Sequence, residues 1–117
     1  MRDEPFDMAL VAWFADYPDP LDFLGQLDGR TIRENGNGNF AYFDDPAYNR
    51  RLDAAARLPR PARLLALGRL DASVAREQAP WAAISNERVH DFFSERIGCQ
   101  LYTAVYLLDL AALCIRP

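Results

Sequence analysis

The sequence has 117 residues, enough for one domain, and half of them are apolar, which excludes a mostly disordered chain. The net charge is −4 and all basic residues are scattered arginines, which argues against a nucleic-acid-binding protein because phosphate affinity requires concentrated positive charge. The single histidine, His90, and the two cysteines, Cys99 and Cys114, do not have the number or spacing of a zinc site, so neither a metal nor a cofactor is expected.

The apolar run FDMALVAWFA, residues 6–15, predicts a buried β-strand because it is short, continuous and rich in strand-forming residues. Pro18 and Pro20 end this segment. Asp19 stands directly before a proline, which predicts that its side chain caps a short helix over PLDFLGQL. This helix is expected to end near Gly29.

The polar loop RTIRENGNGN, residues 30–39, contains Asn-Gly pairs that are typical of turns. A phosphate-binding loop is the functional alternative, but the segment lacks the Lys and Ser or Thr of a P-loop and the spacing of a dinucleotide fingerprint. The sequence therefore favours an ordinary connecting loop.

Two amphipathic helices are predicted next, separated by PRP at 59–61. In the first, over 43–58, Asp45 is the expected cap and Pro46 the first residue. The second runs from about Pro61 to Gln78. Their apolar stripes predict packing as a helical hairpin: Tyr48, Leu52, Ala55 and Ala56 on the first, and Leu64, Leu67, Leu70 and Val74 on the second.

The last third of the chain is less regular until the apolar tail LYTAVYLLDLAALCIRP, residues 101–117. Residues 79–85 are expected to be extended, and 88–98 to be strand or loop. A transmembrane helix needs about 20 apolar residues, whereas this tail is shorter and carries Asp109, so a buried strand or helix is predicted. The chain offers little surface to bury such a tail, which indicates a missing partner surface.

The two cysteines and the N-terminus bear on the cellular compartment. Cys99 and Cys114 fit either a disulfide or two buried thiols, and their spacing does not decide between these. No signal peptide opens the sequence, which by itself indicates a cytosolic protein unless residues precede Met1.

Trp13, Asp16 and Asp19 carry the chemistry of the segment VAWFADYPDP. A pair of carboxylates suits acid–base catalysis, but the expected capping role of Asp19 leaves Asp16 alone, so an enzyme is not predicted. An acid behind an aromatic strand end can receive an ammonium group, with the ring adding a cation–π contribution of about 0.5–2 kcal/mol. The alternative is a core tryptophan followed by a turn aspartate that accepts from backbone amides.

The order of these segments resembles the C-terminal part of family 5 extracellular solute-binding proteins, the oligopeptide- and dipeptide-binding receptors of ABC importers. The resemblance covers essentially the whole chain, including AREQAPWAAIS and the closing DLAALCIRP, which is similar to the final strand of the family. It rests on a collinear set of residues: Trp13, Asp16, Tyr17, Asp19, Pro20, Asn39, Tyr42, Phe43 and Pro46.

This resemblance implies an α/β fold, namely a C-terminal fragment of a type II two-lobed periplasmic-binding-protein fold with a helical hairpin and a few strands. Residues 1–80 would belong to the second lobe and carry a ligand-facing strand. Residues 81–117 would cross the hinge, near 79–85, and return to the first lobe. The signal sequence is then expected in a preceding part of the protein, so that the protein is extracellular or periplasmic.

The resemblance also implies a function, the capture of a peptide or similar small solute for delivery to an ABC permease in the membrane. The ligand-binding residues would be Asp16, which pairs with the α-ammonium, and the segment of Ala12, Trp13 and Phe14, which offers backbone groups as an added strand would. The fragment is expected to self-associate through its apolar tail. The competing hypothesis is a free-standing protein-interaction module that uses the same tail to dock a partner.

Overall fold

The computed structural model describes residues 8–86, 88–103, 105 and 107–117, and combines helices with short antiparallel β-strands. This agrees with the expected α/β class at the level of secondary-structure content. The chain divides into two compact units, one ending at Ala82 and one running from Ala83 to Pro117. Each unit is described separately.

The two long helices of the first unit begin and end close to the predicted positions. Helix α2 spans Pro46–Ala56, and helix α3 spans Ala62–Glu77. The Asp45 side chain accepts a hydrogen bond from the Ala47 N–H at 2.7 Å, which confirms the predicted cap. The helices pack against each other, which confirms the predicted hairpin.

The core of the first unit lies between these helices and the short helical segments before them. Tyr48 is buried and its hydroxyl donates to the Leu24 carbonyl at 2.7 Å, which satisfies the one polar atom of the ring. Burial raises the pKa of the Tyr48 phenol well above its ordinary value, so the hydroxyl stays protonated and keeps donating. The buried apolar residues are Leu24, Leu27, Tyr48, Leu52, Ala55, Leu67, Leu70 and Val74.

The short helix predicted after Asp19 is present but brief. Helix α1 spans Leu21–Leu24 and continues as a 3₁₀ turn over Gly25–Leu27. The Asp19 carboxylate accepts from the Leu21 N–H at 3.1 Å, so it bonds the first residue of the helix. The N-cap position is nevertheless occupied by Pro20 and not, as predicted, by Asp19. A second 3₁₀ turn, Gly29–Thr31, follows.

The loop at 30–39 is fixed by Asn39, whose side chain is completely buried. Its Nδ2 donates to the Phe43 carbonyl at 2.8 Å, and its Oδ1 accepts from the Phe43 N–H at 3.1 Å. The Asn39 N–H in turn donates to the Asn37 side chain at 3.1 Å. These asparagines therefore connect the loop to the segment before α2.

The strand predicted over 6–15 is wrong for the described part, 8–15, which forms no β-strand. Residues 6 and 7 lie outside the described residues. A strand requires hydrogen bonds to a neighbouring strand, and the four short strands of the described chain pair only with one another. The segment instead runs along the surface with exposed apolar side chains: Met8, Leu10, Val11, Trp13 and Phe14.

The described residues of the second unit form two minimal antiparallel ladders. Strand β1, Ile97–Gly98, pairs with β4, Cys114–Ile115. Strand β2, Tyr102–Thr103, pairs with β3, Leu107–Leu108. A 3₁₀ turn over Leu110–Ala112 lies between β3 and β4, and the Asp109 carboxylate bonds its Ala111 N–H at 2.9 Å.

Two expectations for this unit are resolved. Cys99 and Cys114 form a disulfide, which decides between the two alternatives that the sequence left open. The described part of the tail is not the predicted buried strand or helix, since Leu101, Leu110 and Ile115 are exposed. No helix among the described residues has the length and apolarity to cross a membrane.

Candidate functional site

A buried carboxylate, that of Asp22 in the first turn of α1, organises the segment that the sequence singled out. Its Oδ2 accepts two hydrogen bonds, one from the Trp13 indole Nε1 at 3.0 Å and one from the Asp16 N–H at 2.9 Å. Asp22 is only 6% exposed, and both bonds are partly shielded from water. One oxygen atom thus fixes the Trp13 ring and the Asp16 backbone together.

A second carboxylate, that of Asp19, ties the same segment to helix α3. Its Oδ2 lies 2.5 Å from the Arg63 guanidinium, and its other oxygen bonds the Leu21 N–H. Both side chains of this ion pair are largely shielded from solvent. Both carboxylate oxygens of Asp19 therefore have partners within the protein, and its charge is neutralised by Arg63.

Asp16 differs from these two acids. Its side chain is exposed, and no hydrogen bond or ion pair of its carboxylate occurs among residues 8–86. Its backbone is nevertheless held by Asp22. The Asp16 carboxylate is thus exposed and unpaired on a held backbone, three residues after a tryptophan that is 42% exposed.

The electrostatic effect of the three acids is seen at Tyr17. Burial, followed by the negative charges of Asp22, Asp19 and Asp16, raises the pKa of the Tyr17 phenol above its ordinary value. The same negative field favours a cation over an anion at this surface.

The predicted site residues are neighbours in the sequence, and the structure adds a shared hydrogen-bond partner for two of them. Trp13 and Asp16 are joined through Asp22, and Ala12 and Phe14 flank Trp13 with exposed side chains. The backbone around Ala12 is not in a strand, so the added-strand geometry predicted for ligand binding is not formed in this structure.

Sequence reasoning missed Asp22, the residue that organises the site. An aspartate in the first turn of a helix is usually explained by the helix dipole and left exposed. No local spacing rule connects it with an indole nine residues earlier. The structure also corrects the alternative in which Asp16 is the turn acid and Trp13 a core residue, because Asp22 bonds the backbone amide and Trp13 is partly exposed.

The three acids differ in whether their carboxylates already have partners. Asp16 is an exposed acceptor, whereas Asp19 and Asp22 are already bonded. His90 is exposed, and its neighbour Asp91 accepts from the Tyr102 hydroxyl at 3.1 Å. Within the described ranges, no group of three His, Cys, Asp or Glu side chains is arranged to hold a metal ion.

Comparison of the chain with protein-family models, with curated proteins and with solved structures finds no match in any of the three.

Proposed function

We propose that this chain is the ligand-facing C-terminal part of a solute-binding protein of an ABC importer, and that it binds the ammonium group of a peptide or similar small solute. The proposed class of protein rests on the order of the sequence segments. The observation that carries it is the difference between the three acids. Asp22 and Asp19 are bonded within the protein and hold the segment, whereas the carboxylate of Asp16 is exposed and has no partner among residues 8–86.

The backbone of Asp16 is preorganised for ligand binding. The Asp16 backbone is held by a partly buried hydrogen bond to Asp22, so less backbone freedom is lost when its carboxylate meets a ligand. The exposed face of Trp13 adds apolar and cation–π contact beside the same charge. A charge-assisted bond between a carboxylate and an ammonium is about twice as strong as a neutral hydrogen bond.

Two further observations support the proposed class. The apolar side chains exposed along 8–15 offer contact surface for a ligand or for a second lobe of a type II two-lobed fold. The disulfide between Cys99 and Cys114 is typical of an extracellular or periplasmic protein.

The direct test is isothermal titration calorimetry of short peptides with the protein encoded by the complete reading frame that contains this chain. Loss of an ion pair in a closed cleft costs about 2–5 kcal/mol, so Asp16→Asn is expected to weaken binding by about 30-fold or more. The matched control is Glu34→Gln, an exposed acid outside the site, and it should bind as the wild type does. Equal affinity of Asp16→Asn and the wild type, or no binding of any peptide by the wild type, would contradict the proposal.

A second candidate function is a protein-interaction module, with the apolar tail as the docking surface. It is favoured by the exposure of apolar tail residues in and beside the short strands: Leu101, Tyr102, Leu107, Leu110 and Ile115. In-frame coding sequence upstream of Met1 that encodes an export signal and a further lobe would support the importer. A ribosome-binding site directly before Met1 would support the module.

Both candidates predict that the isolated chain self-associates, because an exposed apolar surface is removed from water when two copies meet. Leu110→Asp, at a side chain that is 74% exposed, should shift the chain toward monomer in light scattering with concentration. Glu95→Asp, an exposed change that conserves charge, is the control. A wild-type chain that remains monomeric at high concentration would exclude this association.

A further inference from the structure

The described part of the second unit has almost no apolar core of its own. Among its described residues, 83–86, 88–103, 105 and 107–117, only Gly98 is buried, and all eight buried apolar side chains of the described chain belong to the first unit. Hydrophobic burial is the main favourable contribution to folding. The second unit must therefore be stabilised largely by something else.

The hydrogen-bonded structure of this unit is also minimal. Each ladder consists of two residue pairs, Ile97 with Ile115 and Gly98 with Cys114 in one, and Tyr102 with Leu108 and Thr103 with Leu107 in the other. Isolated two-stranded ladders are marginally stable in water even when they are longer. Cys99 and Leu107 moreover have φ angles of 62° and 57°, in the left-handed region that is unfavourable for residues with a side chain.

The position of the disulfide allows it to stabilise these two short ladders. Cys99 directly follows β1 and Cys114 is the first residue of β4, so the bond closes the outer ladder and encloses the inner one. The closed segment spans a sequence separation of 15, and it contains β2, β3 and the 3₁₀ turn. Closing a loop of this length lowers the entropy of the unfolded chain and thereby favours the folded form.

We propose that the Cys99–Cys114 disulfide is a redox switch for the second unit, and that its reduction releases strands β1 to β4 while helices α2 and α3 stay folded. In the reduction, two electrons and two protons cleave the Sγ–Sγ bond to two thiols. A dithiol reductant is oxidised to its own disulfide, and a phosphine is oxidised to the phosphine oxide with oxygen from water. The inference does not depend on the proposed function.

Amide hydrogen exchange by NMR tests the switch on the full chain, with and without a phosphine. The informative amides are Asp109, which donates to the Leu101 carbonyl at 2.8 Å, and Arg116, which donates to the Arg96 carbonyl at 2.8 Å. We expect both to exchange on the order of 100-fold faster after reduction, the ratio that corresponds to about 3 kcal/mol for a loop of this length. Amides within α2 and α3 should exchange at an unchanged rate.

The double variant Cys99→Ser, Cys114→Ser separates loss of the bond from effects of the reagent. It should reproduce fast exchange at Asp109 and Arg116 without phosphine, and phosphine should then cause no further change. Unchanged exchange of these two amides in both the reduced wild type and the double variant would overturn the proposal. Simultaneous loss of protection in α2 and α3 would overturn it as well, because the bond would then stabilise the whole chain.

Discussion

At the scale of single residues, three nearby aspartates have three different environments. Asp22 is buried and accepts from Trp13 and from the Asp16 backbone, and Asp19 is paired with Arg63. Of these three acids, only Asp16 has an exposed carboxylate without a hydrogen bond or ion pair among residues 8–86. The chemical role of each acid therefore follows from its contacts rather than from its residue type.

Replacing Asp22 by Ala should destabilise the first unit by about 1–3 kcal/mol, because the Trp13 indole and the Asp16 amide lose their acceptor. Urea unfolding measures this loss, and the fluorescence of Trp13 should also shift to longer wavelength as the ring becomes more solvated. Glu34→Ala, in an exposed loop, is the control and should change stability by less than about 0.5 kcal/mol.

Asp16→Asn should leave stability unchanged, since Asp22 bonds the backbone of Asp16 and not its side chain. If Asp22→Ala is as stable as the Glu34→Ala control, the organising role of Asp22 is contradicted.

At the scale of elements, the long helices follow from local sequence, whereas the strands do not. The Asp45-Pro46 start and the apolar spacing of α2 and α3 are contained within a few turns of helix, so their positions could be predicted. The run at 6–15 has strand-like composition, but pairing depends on a distant partner, and the described part forms no strand. Strands of two residues in the tail are too short to leave a periodic pattern.

The candidate site, like the strands, depends on contacts between residues that are not adjacent in sequence. The sequence suggested Trp13 and Asp16 because an acid follows an aromatic residue in a segment that ends in prolines. Their connection through Asp22 depends on the fold of α1 against the preceding chain. The disulfide likewise joins residues whose proximity is set by the pairing of β1 with β4.

The packing of α2 against α3 predicts that two leucines of α3 contribute very differently to the free energy of unfolding. Leu67 is completely buried and Leu65, two residues earlier on α3, is 60% exposed. Leu67→Ala should destabilise the first unit by about 2–5 kcal/mol, because it leaves a cavity in the core. Leu65→Ala should cost less than about 0.5 kcal/mol. Comparable urea midpoints for the two variants would show that the core does not lie where the structure places it.

At the scale of the whole molecule, the two compact units are stabilised by different means. The first has a contiguous apolar core, and the described part of the second has a disulfide and two short ladders. The proposed binding residues all belong to the first unit, the one with its own core. These residues lie on a surface segment, which is connected to helix α1 through the bonds of Trp13 and Asp16 to Asp22.

The central claim is that the Asp16 carboxylate pairs with a ligand ammonium, and a thermodynamic cycle tests it most directly. Calorimetry would compare a short peptide having a free N-terminus with the same peptide N-acetylated, each with the wild-type protein and with Asp16→Asn. We predict that acetylation weakens binding to the wild type by about 30-fold or more and has no effect on the variant. An equal effect of acetylation on both proteins would contradict the claim, because the ammonium would then be bound by another group.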